Sequence, residues 1–278
     1  MERFVPVGLG EREHAPSSRI RLGGIGVDRV DERRAVSLVV EAIEAGRGGQ
    51  IVTPNVDIVA AVRRSHELRA VLEAADLVVA DGAPLVWASK LAGTPLPQRV
   101  AGSDLVWSLS EAASLRGLKV ALLGGTPDGA VRTTERAAAV LERRYPGLKV
   151  VGSWCPPMGF ERDESQWRAL ADRFEAAAPD LVYVGLGFPK QEHVIARLRA
   201  AAPRAWFLGC GASIDFIAGY RRRAPKWMQR SGTEWLFRLA AEPRRLAGRY
   251  LLGDVPEALR LLASAAVARL RRQRRRAM

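Results

Sequence analysis

The sequence has very little of the residues on which several kinds of protein depend. Its 278 residues include only two cysteines, Cys155 and Cys210, and three histidines. The cysteines stand far apart in no C-x-x-C arrangement, and the histidines have no ligand spacing with them. This scarcity excludes a disulfide scaffold and argues against a structural zinc site. It favours a reducing cytosol and two ordinary buried thiols.

Several motifs of nucleotide and metal chemistry are also missing. The sequence has no G-x-x-x-x-G-K-[ST], no G-x-S-x-G and no Asp-x-Asp. The strings Gly185-Leu186-Gly187 and Gly209-Cys210-Gly211 lack the third glycine of a dinucleotide-binding turn. These absences exclude a P-loop and argue against a nicotinamide or flavin site. Without Asp-x-Asp the usual carboxylates for a divalent ion on a nucleotide diphosphate are missing, so we expect no metal and no cofactor.

Long apolar runs are absent as well. The longest candidate near the C-terminus, residues 261–268, is about eight residues long, well short of the ~20 needed to span a bilayer. Residues 1–18 contain Glu11 and Glu13 but no apolar core of a signal peptide, and we expect this segment to be flexible. A soluble or peripheral protein is therefore expected.

The charge that is present is strongly asymmetric. The chain carries 43 Lys and Arg against 30 Asp and Glu, a formal net charge of +13. Residues 221–278 alone hold 16 basic and four acidic side chains, so almost all of the excess lies in the last fifth of the chain. A near-neutral body with a cationic end predicts an anionic partner at that end, such as phosphate, acidic lipid or nucleic acid.

Short apolar runs alternate with longer helical patterns along most of the chain. The predicted strands are Ile20–Val27, Gln50–Thr53, Leu77–Ala80, Leu118–Leu123, Leu148–Val151, Leu181–Gly185 and Ala205–Leu208. The predicted helices are Asp31–Ala45, Asp57–Ala74, Ser103–Arg116, Asp128–Arg144, Glu164–Ala177 and Lys190–Ala201. This alternation predicts an α/β fold, a Rossmann-like and mostly parallel sheet with helices on both faces, over residues 19–219.

Functional residues of such sheets gather at the carboxyl ends of the strands. The candidates at these ends are Thr53, Asn55, Asp81, Gly124, Gln191 and Asp215. Asp81 follows an apolar strand and precedes Gly82, so its carboxylate is expected to project into a cleft. The alternative is an N-cap of the helix that begins near Pro84.

The other candidates also have plain alternatives. Thr53 and Asn55 offer a hydroxyl and a carboxamide to a sugar or phosphate oxygen, but Asn55 fits a helix cap equally well. Gln191 lies where a helix begins after a glycine-rich turn. This arrangement favours the binding of an anion, and the alternative is only a tight turn. Arg99 is a candidate partner for a pyrophosphate or carboxylate, or a surface charge.

After about residue 219 the strands stop and arginine becomes frequent, so we predict a basic C-terminal appendage over residues 220–278. Its proximal arginines, which include Arg238, Arg245 and Arg249, alternate with aromatic residues and are candidates to reach over the cleft. Pro256 to Arg276 is predicted to form a basic amphipathic helix with Leu259, Leu262, Ala266 and Leu270 along one stripe. Such helices commonly lie on anionic membranes, and the alternative is a solvated tail or a helix docked on the domain.

Taken together, strings from about residue 20 to 252 resemble the WecG/TagA/CpsF glycosyltransferase family, glycosyltransferase family 26. The matching strings are Thr53-Pro54-Asn55, Ala80-Asp81-Gly82, Arg99-Val100-Ala101-Gly102-Ser103-Asp104, Leu123-Gly124-Gly125, Tyr145-Pro146-Gly147-Leu148, Gly185-Leu186-Gly187-Phe188-Pro189-Lys190-Gln191-Glu192, Gly209–Asp215, Arg223-Ala224-Pro225, Glu234-Trp235-Leu236-Phe237-Arg238-Leu239, Glu242-Pro243-Arg244-Arg245 and Arg249-Tyr250. Each string is common alone, and their ordered joint occurrence is specific.

The resemblance implies transfer of a sugar from a UDP-sugar to a polyprenyl-diphosphate-linked acceptor at the cytoplasmic face of the cell membrane. The sugar would be a hexosamine, its uronic acid or a related hexose, transferred for cell-surface polysaccharide or teichoic acid synthesis. The family is viewed as inverting and metal-independent. By the same resemblance Asp81 matches the catalytic base, and Thr53, Asn55, Arg99 and Gln191 match pocket residues. The appendage would close the site and touch the membrane.

One stretch departs from the family pattern. Residues 153–160 read Ser-Trp-Cys-Pro-Pro-Met-Gly-Phe, where members often have a simpler Gly-Tyr or Gly-Phe turn. A rival interpretation from another class is a nucleic-acid-binding α/β protein that uses its basic C-terminus. The neutral body and the lack of a recognisable RNA or DNA motif argue against that rival, so no nucleic acid is expected as a partner.

Overall fold

The structure, a computed structural model, describes residues 19–128 and 131–276. The side chains of residues 127, 128, 131, 230, 245, 275 and 276 are not among those described. Two predictions made from the sequence therefore lie outside the described residues: the flexible segment 1–18 and the role of the Arg245 side chain.

The described residues form ten strands and thirteen α-helices. The strands are β1 (Ile20–Leu22), β2 (Ile25–Val27), β3 (Gly49–Val52), β4 (Leu77–Val78), β5 (Lys119–Gly124), β6 (Pro127–Asp128), β7 (Val131–Arg132), β8 (Lys149–Trp154), β9 (Leu181–Gly185) and β10 (Trp206–Gly209). The helices are α1 (Glu32–Glu44), α2 (Val56–Arg64), α3 (His66–Ala74), α4 (Ala83–Leu91), α5 (Gly102–Arg116), α6 (Thr133–Arg144), α7 (Glu164–Ala177), α8 (Lys190–Ala201), α9 (Ser213–Ile217), α10 (Lys226–Ser231), α11 (Glu234–Ala241), α12 (Pro243–Ala247) and α13 (Val255–Arg276). A 3₁₀ turn covers Phe160–Arg162, and a π-helical turn covers Gly248–Asp254.

The chain divides into two compact units, and each unit is assembled from segments that are distant in sequence. Of the described residues, the first unit contains 19–31, 54–99 and 224–276, and the second contains 32–53 and 100–223. The C-terminal segment thus shares its unit with the stretch that carries Asp81. The division into a domain over 19–219 and an appendage over 220–278 stays a prediction.

The second unit is built on five parallel strands in the order β3-β10-β9-β5-β8. In this register Leu208 of β10 lies opposite Ile51 of β3 and Tyr183 of β9. All four residues of β3 and all four of β10 are buried, as expected for parallel strands that are covered on both faces.

Alternate residues of β9 show that helices cover both faces of this sheet. Val182 and Val184 pack in one apolar cluster with Phe174 of α7 and Ile195 of α8. Tyr183 points the other way, and its buried hydroxyl lies 2.9 Å from the hydroxyl of Ser110 on α5. Because successive strand side chains point to opposite faces, α5 and the α7–α8 pair lie on opposite sides. The predicted fold class is confirmed.

The first unit begins with a hairpin where the sequence predicted one continuous strand from Ile20 to Val27. That prediction was wrong: β1 and β2 pair antiparallel around Gly23 and Gly24. Both glycines have positive φ, +58° and +89°, which is the geometry of a type I′ turn and is costly for other residues. A side chain at Gly23 would also come within 3.0 Å or less of Val59 and Leu261, so the turn packs tightly inside the unit.

Several helix boundaries also differ from the prediction. Helix α6 begins at Thr133, not at the predicted Asp128, which lies in β6, and α1 is one residue shorter at each end. The predicted helix Asp57–Ala74 is two helices, because Ser65 has extended backbone angles and its hydroxyl accepts a hydrogen bond from the backbone N–H of Leu68. Ser65 is thus the N-cap of α3. Helix α5 begins at Gly102, one residue before the predicted start at Ser103, with Ala101 as the N-cap residue.

Helix α13 confirms the predicted C-terminal helix and has two different faces. Leu261, Ala265 and Glu257 are buried. The Glu257 carboxylate accepts two hydrogen bonds from Arg63 of α2, at 3.0 and 3.2 Å. Leu259, which is 64% exposed, and Leu270 lie toward the other side. No helix among residues 19–128 and 131–276 has the length and apolar character to cross a membrane.

We expect the neighbouring leucines of α13 to differ sharply in their effect on stability. Leu261→Ala removes a side chain that is only 2% exposed and should lower the free energy of unfolding by about 2–4 kcal/mol. Leu259→Ala is the matched control and should change it by less than about 0.5 kcal/mol. Urea unfolding of the full-length variants measures both values, and equal losses would contradict the docked face assigned to Leu261.

Candidate functional site

The residues singled out from the sequence fall in both units, and each group is described within its own unit. The first unit contains Asn55, Asp81, Arg99, Arg238 and Arg249, together with the backbone of Arg245. The second unit contains Thr53, Gly124, Gln191 and Asp215.

In the first unit Asp81 lies just beyond β4 and pairs with Arg99. The backbone N–H of Asp81 donates to the carbonyl of Pro54 at 3.0 Å, which fixes the loop. The Asp81 carboxylate lies 3.1 Å from a guanidinium nitrogen of Arg99, and its side chain is still 28% exposed. The N-cap residue of α4 is Gly82, without a side-chain hydrogen bond. The Asp81 carboxylate is therefore not used as the cap that the alternative interpretation proposed.

Asn55 lies beside this pair and does cap a helix. Its side-chain oxygen accepts a hydrogen bond of 3.1 Å from the backbone N–H of Ile58, at the start of α2. A Cβ atom on Gly82 would lie 3.4 Å from the Cα of Asn55, so the two loops are in contact. Asn55 and Asp81 thus lie together at the positive end of α2.

Arg249 reaches the same end of α2. One of its guanidinium nitrogens lies 2.6 Å from a carboxylate oxygen of Asp57, in the first turn of α2, and another lies 3.9 Å from Asp254. Burial and the negative charge of Asp57 raise the pKa of Asp254 to about 6, against the opposing effect of Arg249. In this arrangement Arg249 is held by carboxylates.

The position of Arg238 is set by its helix and not by an ion pair described above. It lies half-buried on α11, three residues after Trp235. The Trp235 ring meets the ring of Tyr250 edge to face, with 6.0 Å between centroids. This contact joins α11 to the π-helical turn that carries Arg249.

In the second unit Thr53 and Gly124 lie at the carboxyl ends of β3 and β5, in close-packed surroundings. Thr53 is buried, and a Cβ atom on Gly102 would lie 3.0 Å from its hydroxyl oxygen. Gly124 has φ +105°, and a Cβ there would lie 2.6 Å from the carbonyl oxygen of Gly185. The absence of a side chain at Gly124 lets the loops after β5 and β9 approach one another.

Asp215 ties the loop after β5 to α9. Its buried carboxylate accepts hydrogen bonds from the backbone N–H of Thr126 at 3.1 Å and from the Thr126 hydroxyl at 3.0 Å. The hydroxyl of Thr133 donates a third at 2.9 Å, and Arg221 lies 3.5 Å away. Neither threonine was predicted from the sequence. The available signals were that Thr126 follows a glycine pair and that Thr133 lies at the start of a helix.

Gln191 is bound at both ends of its carboxamide. Its oxygen accepts from the backbone N–H of Gly211 at 3.1 Å, and its nitrogen donates to Glu192 at 3.1 Å. The second carboxylate oxygen of Glu192 accepts from the side-chain amide of Gln50. Glu192 is 1% exposed, and burial raises its pKa to about 7 against the lowering effect of these two hydrogen bonds.

Glu192 and Gln50 were not among the predicted site residues. A glutamine in the middle of a strand as apolar as β3 was the available signal, because a polar side chain on a strand buried on both faces requires a partner. Its partner Glu192 is 142 residues away in sequence, so the pairing itself could not be predicted from the sequence.

Comparison with known proteins identifies the family of this chain. The chain is 35% identical over 203 residues to N-acetylglucosaminyldiphosphoundecaprenol N-acetyl-beta-D-mannosaminyltransferase of Bacillus spizizenii, over 73% of this chain and 75% of that protein. It is 31% identical over 198 residues to the Bacillus subtilis protein of the same name, over 71% of this chain and 73% of that protein. The model of the Glycosyl transferase WecG/TagA/CpsF family matches residues 20–274. The chain therefore belongs to the WecG/TagA/CpsF glycosyltransferase family.

Proposed function

We propose that this protein transfers a hexosamine, its uronic acid or a related hexose from a UDP-sugar to a polyprenyl-diphosphate-linked saccharide. The product would enter cell-surface polysaccharide or teichoic acid synthesis. The names of the two Bacillus relatives favour N-acetylmannosamine as the sugar and an N-acetylglucosaminyl-diphosphate-polyprenol as the acceptor. The observation that carries the proposal is the Asp81 carboxylate, which is partly exposed, not used as a helix cap and oriented by Arg99.

Asp81 is proposed as the general base. An acceptor hydroxyl is a weak nucleophile, so a carboxylate within about 3 Å of it accelerates the reaction by removing its proton. The acceptor oxygen bonds to C1 of the sugar as the bond from C1 to the phosphate oxygen breaks, and UDP leaves with that electron pair. One displacement at C1 inverts its configuration. Arg99 stabilises the ionised carboxylate and fixes its direction.

Arginines of the first unit are proposed to neutralise the leaving diphosphate. The sequence has no Asp-x-Asp, so we propose that transfer is metal-independent and that Arg238, Arg245 and Arg249 meet the developing charge. Arg249 is bound by Asp57 in this structure. A diphosphate carries more negative charge than one carboxylate, and it would compete with Asp57 for the guanidinium.

The second unit is proposed to bind the donor. Thr53, Gln191 and Asp215 offer a hydroxyl, a carboxamide and a carboxylate at the carboxyl ends of parallel strands, where ligands of α/β folds bind. Gly124 permits backbone atoms to come close to the donor.

An anionic membrane surface is proposed as the third partner, at the inner face of the cell membrane. Leu259 and Leu270 are exposed on α13, and they are accompanied by the exposed arginines Arg269, Arg271, Arg272 and Arg274. A helix with an apolar stripe and basic flanks binds the boundary between headgroups and acyl chains. Such binding would bring the enzyme to its lipid-linked acceptor.

A UDP-release assay tests the proposed reaction. The full-length protein is supplied with a short prenyl-diphosphate-linked N-acetylglucosamine and a panel of UDP-sugars, in excess EDTA. We expect UDP release that depends on the acceptor and is greatest with UDP-N-acetylmannosamine. Release from no donor, or release only after a divalent ion replaces EDTA, would contradict the proposal.

Asp81→Asn should slow transfer strongly without loss of fold. The amide cannot accept the proton, so kcat should fall by about 10²–10⁴-fold, while UDP affinity stays within about threefold. Asp76→Asn, at the exposed start of β4, is the matched control and should keep wild-type kcat. An active Asp81→Asn variant would remove Asp81 from the role of base.

Membrane binding should depend on the exposed leucines of α13. Sedimentation with phosphatidylglycerol vesicles should recover the wild-type protein, and Leu259→Asp/Leu270→Asp should reduce binding at least about tenfold, because two apolar side chains are lost from the membrane. Leu115→Asp changes a leucine on α5 that is more exposed than either of these, and it should bind as the wild type does. Equal binding by all three proteins would overturn the proposed membrane contact.

A further inference from the structure

The buried carboxylate of Glu192 has no part in the reaction as proposed above, yet it is bound to a residue that has. We propose that Glu192 is a positioning residue, whose carboxylate fixes the orientation of the Gln191 carboxamide and thereby the Gly209–Gly211 loop at the end of β10. The inference deepens the proposed function and rests on it, because it takes Gln191 as part of the donor site.

The hydrogen bonds define one orientation of Gln191. Its nitrogen donates to Glu192 at 3.1 Å, and its oxygen accepts from the Gly211 N–H at 3.1 Å. If the carboxamide turned over, its nitrogen would face the N–H of Gly211 and its oxygen would face the carboxylate. Both contacts would then be repulsive, so the ionised carboxylate selects one of the two orientations.

The side chains of this cluster are closely packed. A Cβ atom on Gly209 would lie 2.6 Å from the Gln191 nitrogen and 2.9 Å from a Glu192 oxygen, so the side chains lie directly against the backbone of β10. Gln50 from β3 closes the other side of the carboxylate. All three polar side chains are buried, with exposures of 5% or less.

Both partners of the Glu192 carboxylate are N–H donors, which makes its protonation consequential. A protonated carboxyl group has an O–H that needs an acceptor, and Gln50 or Gln191 offers its own carbonyl oxygen to that O–H only by turning over. Burial is the largest cause of the raised pKa, about 7, and the amides of Gln191 and Gln50 oppose it. No ionised side chain of the described residues is among the causes. The orientation of Gln191 should therefore loosen as the pH falls through about 7.

Glu192→Gln tests the inference by two measurements. An amide cannot accept from both donors, and it does not titrate. For the wild type, kcat/KM for the donor should rise about tenfold from about pH 6 to about pH 8, as expected for one group with a pKa near 7. For Glu192→Gln it should stay near the wild-type value at low pH and change less than about twofold. The backbone ¹⁵N–¹H resonance of Gly211 should titrate near pH 7 in the wild type and not in the variant.

Two controls separate positioning from mere stability or charge. Ser110→Ala breaks the buried hydrogen bond to Tyr183 in the same unit and should lower the melting temperature without altering either pH profile. Glu161→Gln removes a carboxylate that pairs with Lys190 at the start of α8 and should leave both profiles unchanged. The exchange Gln50→Glu/Glu192→Gln restores an acceptor for Gln191 and should recover kcat/KM to within about threefold of the wild type.

The outcomes distinguish this inference from the proposed function. If the wild type transfers no sugar, the proposed function fails, and the Gly211 resonance still reports whether Glu192 holds Gln191. If the wild type is active and Glu192→Gln keeps the wild-type pH profile or the Gly211 titration, Glu192 is not a positioning residue. A folded exchange variant that stays as slow as Glu192→Gln also overturns the inference.

Discussion

The close approach of backbone at the carboxyl edge of the parallel sheet is the constraint on which the second unit depends. Gly124 and Gly209 lie where a single methyl group would collide with a neighbouring carbonyl or side chain. Because these positions have no side chain, polar groups from different strands and loops come within hydrogen-bond distance. In a low-dielectric interior such groups must all be partnered, and a fully partnered network is rigid.

Two buried carboxylates in the second unit are held by such networks in the same way. Glu192 accepts from two amides, and Asp215 accepts from one backbone N–H and two hydroxyls. In both cases neutral donors bind a buried carboxylate and hold a loop at the end of a strand, and Asp215 also has Arg221 3.5 Å away. The first unit differs, because Asp81–Arg99 and Asp57–Arg249 are ion pairs with partly exposed side chains. Asp57–Arg249 is the more exposed of the two pairs, and exposed ion pairs contribute little stability, so a charged ligand can replace Asp57 at small cost.

The sequence predicted the repeating parts of the fold well because their signals are local. Helices α7 and α8 have the predicted bounds, since their apolar spacing and flanking residues agree. The β1–β2 turn and the break at Ser65 were missed because the apolar pattern continues across both positions, while two glycines and one side-chain cap decide the backbone. Turn and cap residues of this kind compete with the apolar periodicity, and here they determine the backbone conformation.

For the candidate site, the rule that functional residues lie at the carboxyl ends of strands placed Asp81 correctly after β4. The ion pair of Asp81 with Arg99 agrees with the sequence-based expectation that Arg99 binds a pyrophosphate or a carboxylate. Contacts between distant segments were beyond such rules. Arg63–Glu257 and Gln50–Glu192 join residues 194 and 142 positions apart, and no local pattern encodes either pair. Family membership, which rests on many ordered motifs at once, replaces the nucleic-acid-binding alternative that the charge alone had left open.

The basic excess of the C-terminal segment is not uniformly available for an anionic partner. Arg260 lies close to Glu257, and Arg249 is paired with Asp57, so carboxylates of the first unit partly balance these two charges in this structure. The exposed arginines near the end of α13 remain for the proposed anionic surface, where each would contribute about 1 kcal/mol. That attraction fades within a Debye length, about 8 Å at physiological ionic strength. Charge alone would therefore hold the helix weakly, and the exposed leucines beside it would supply the short-range, salt-insensitive part of the proposed membrane contact.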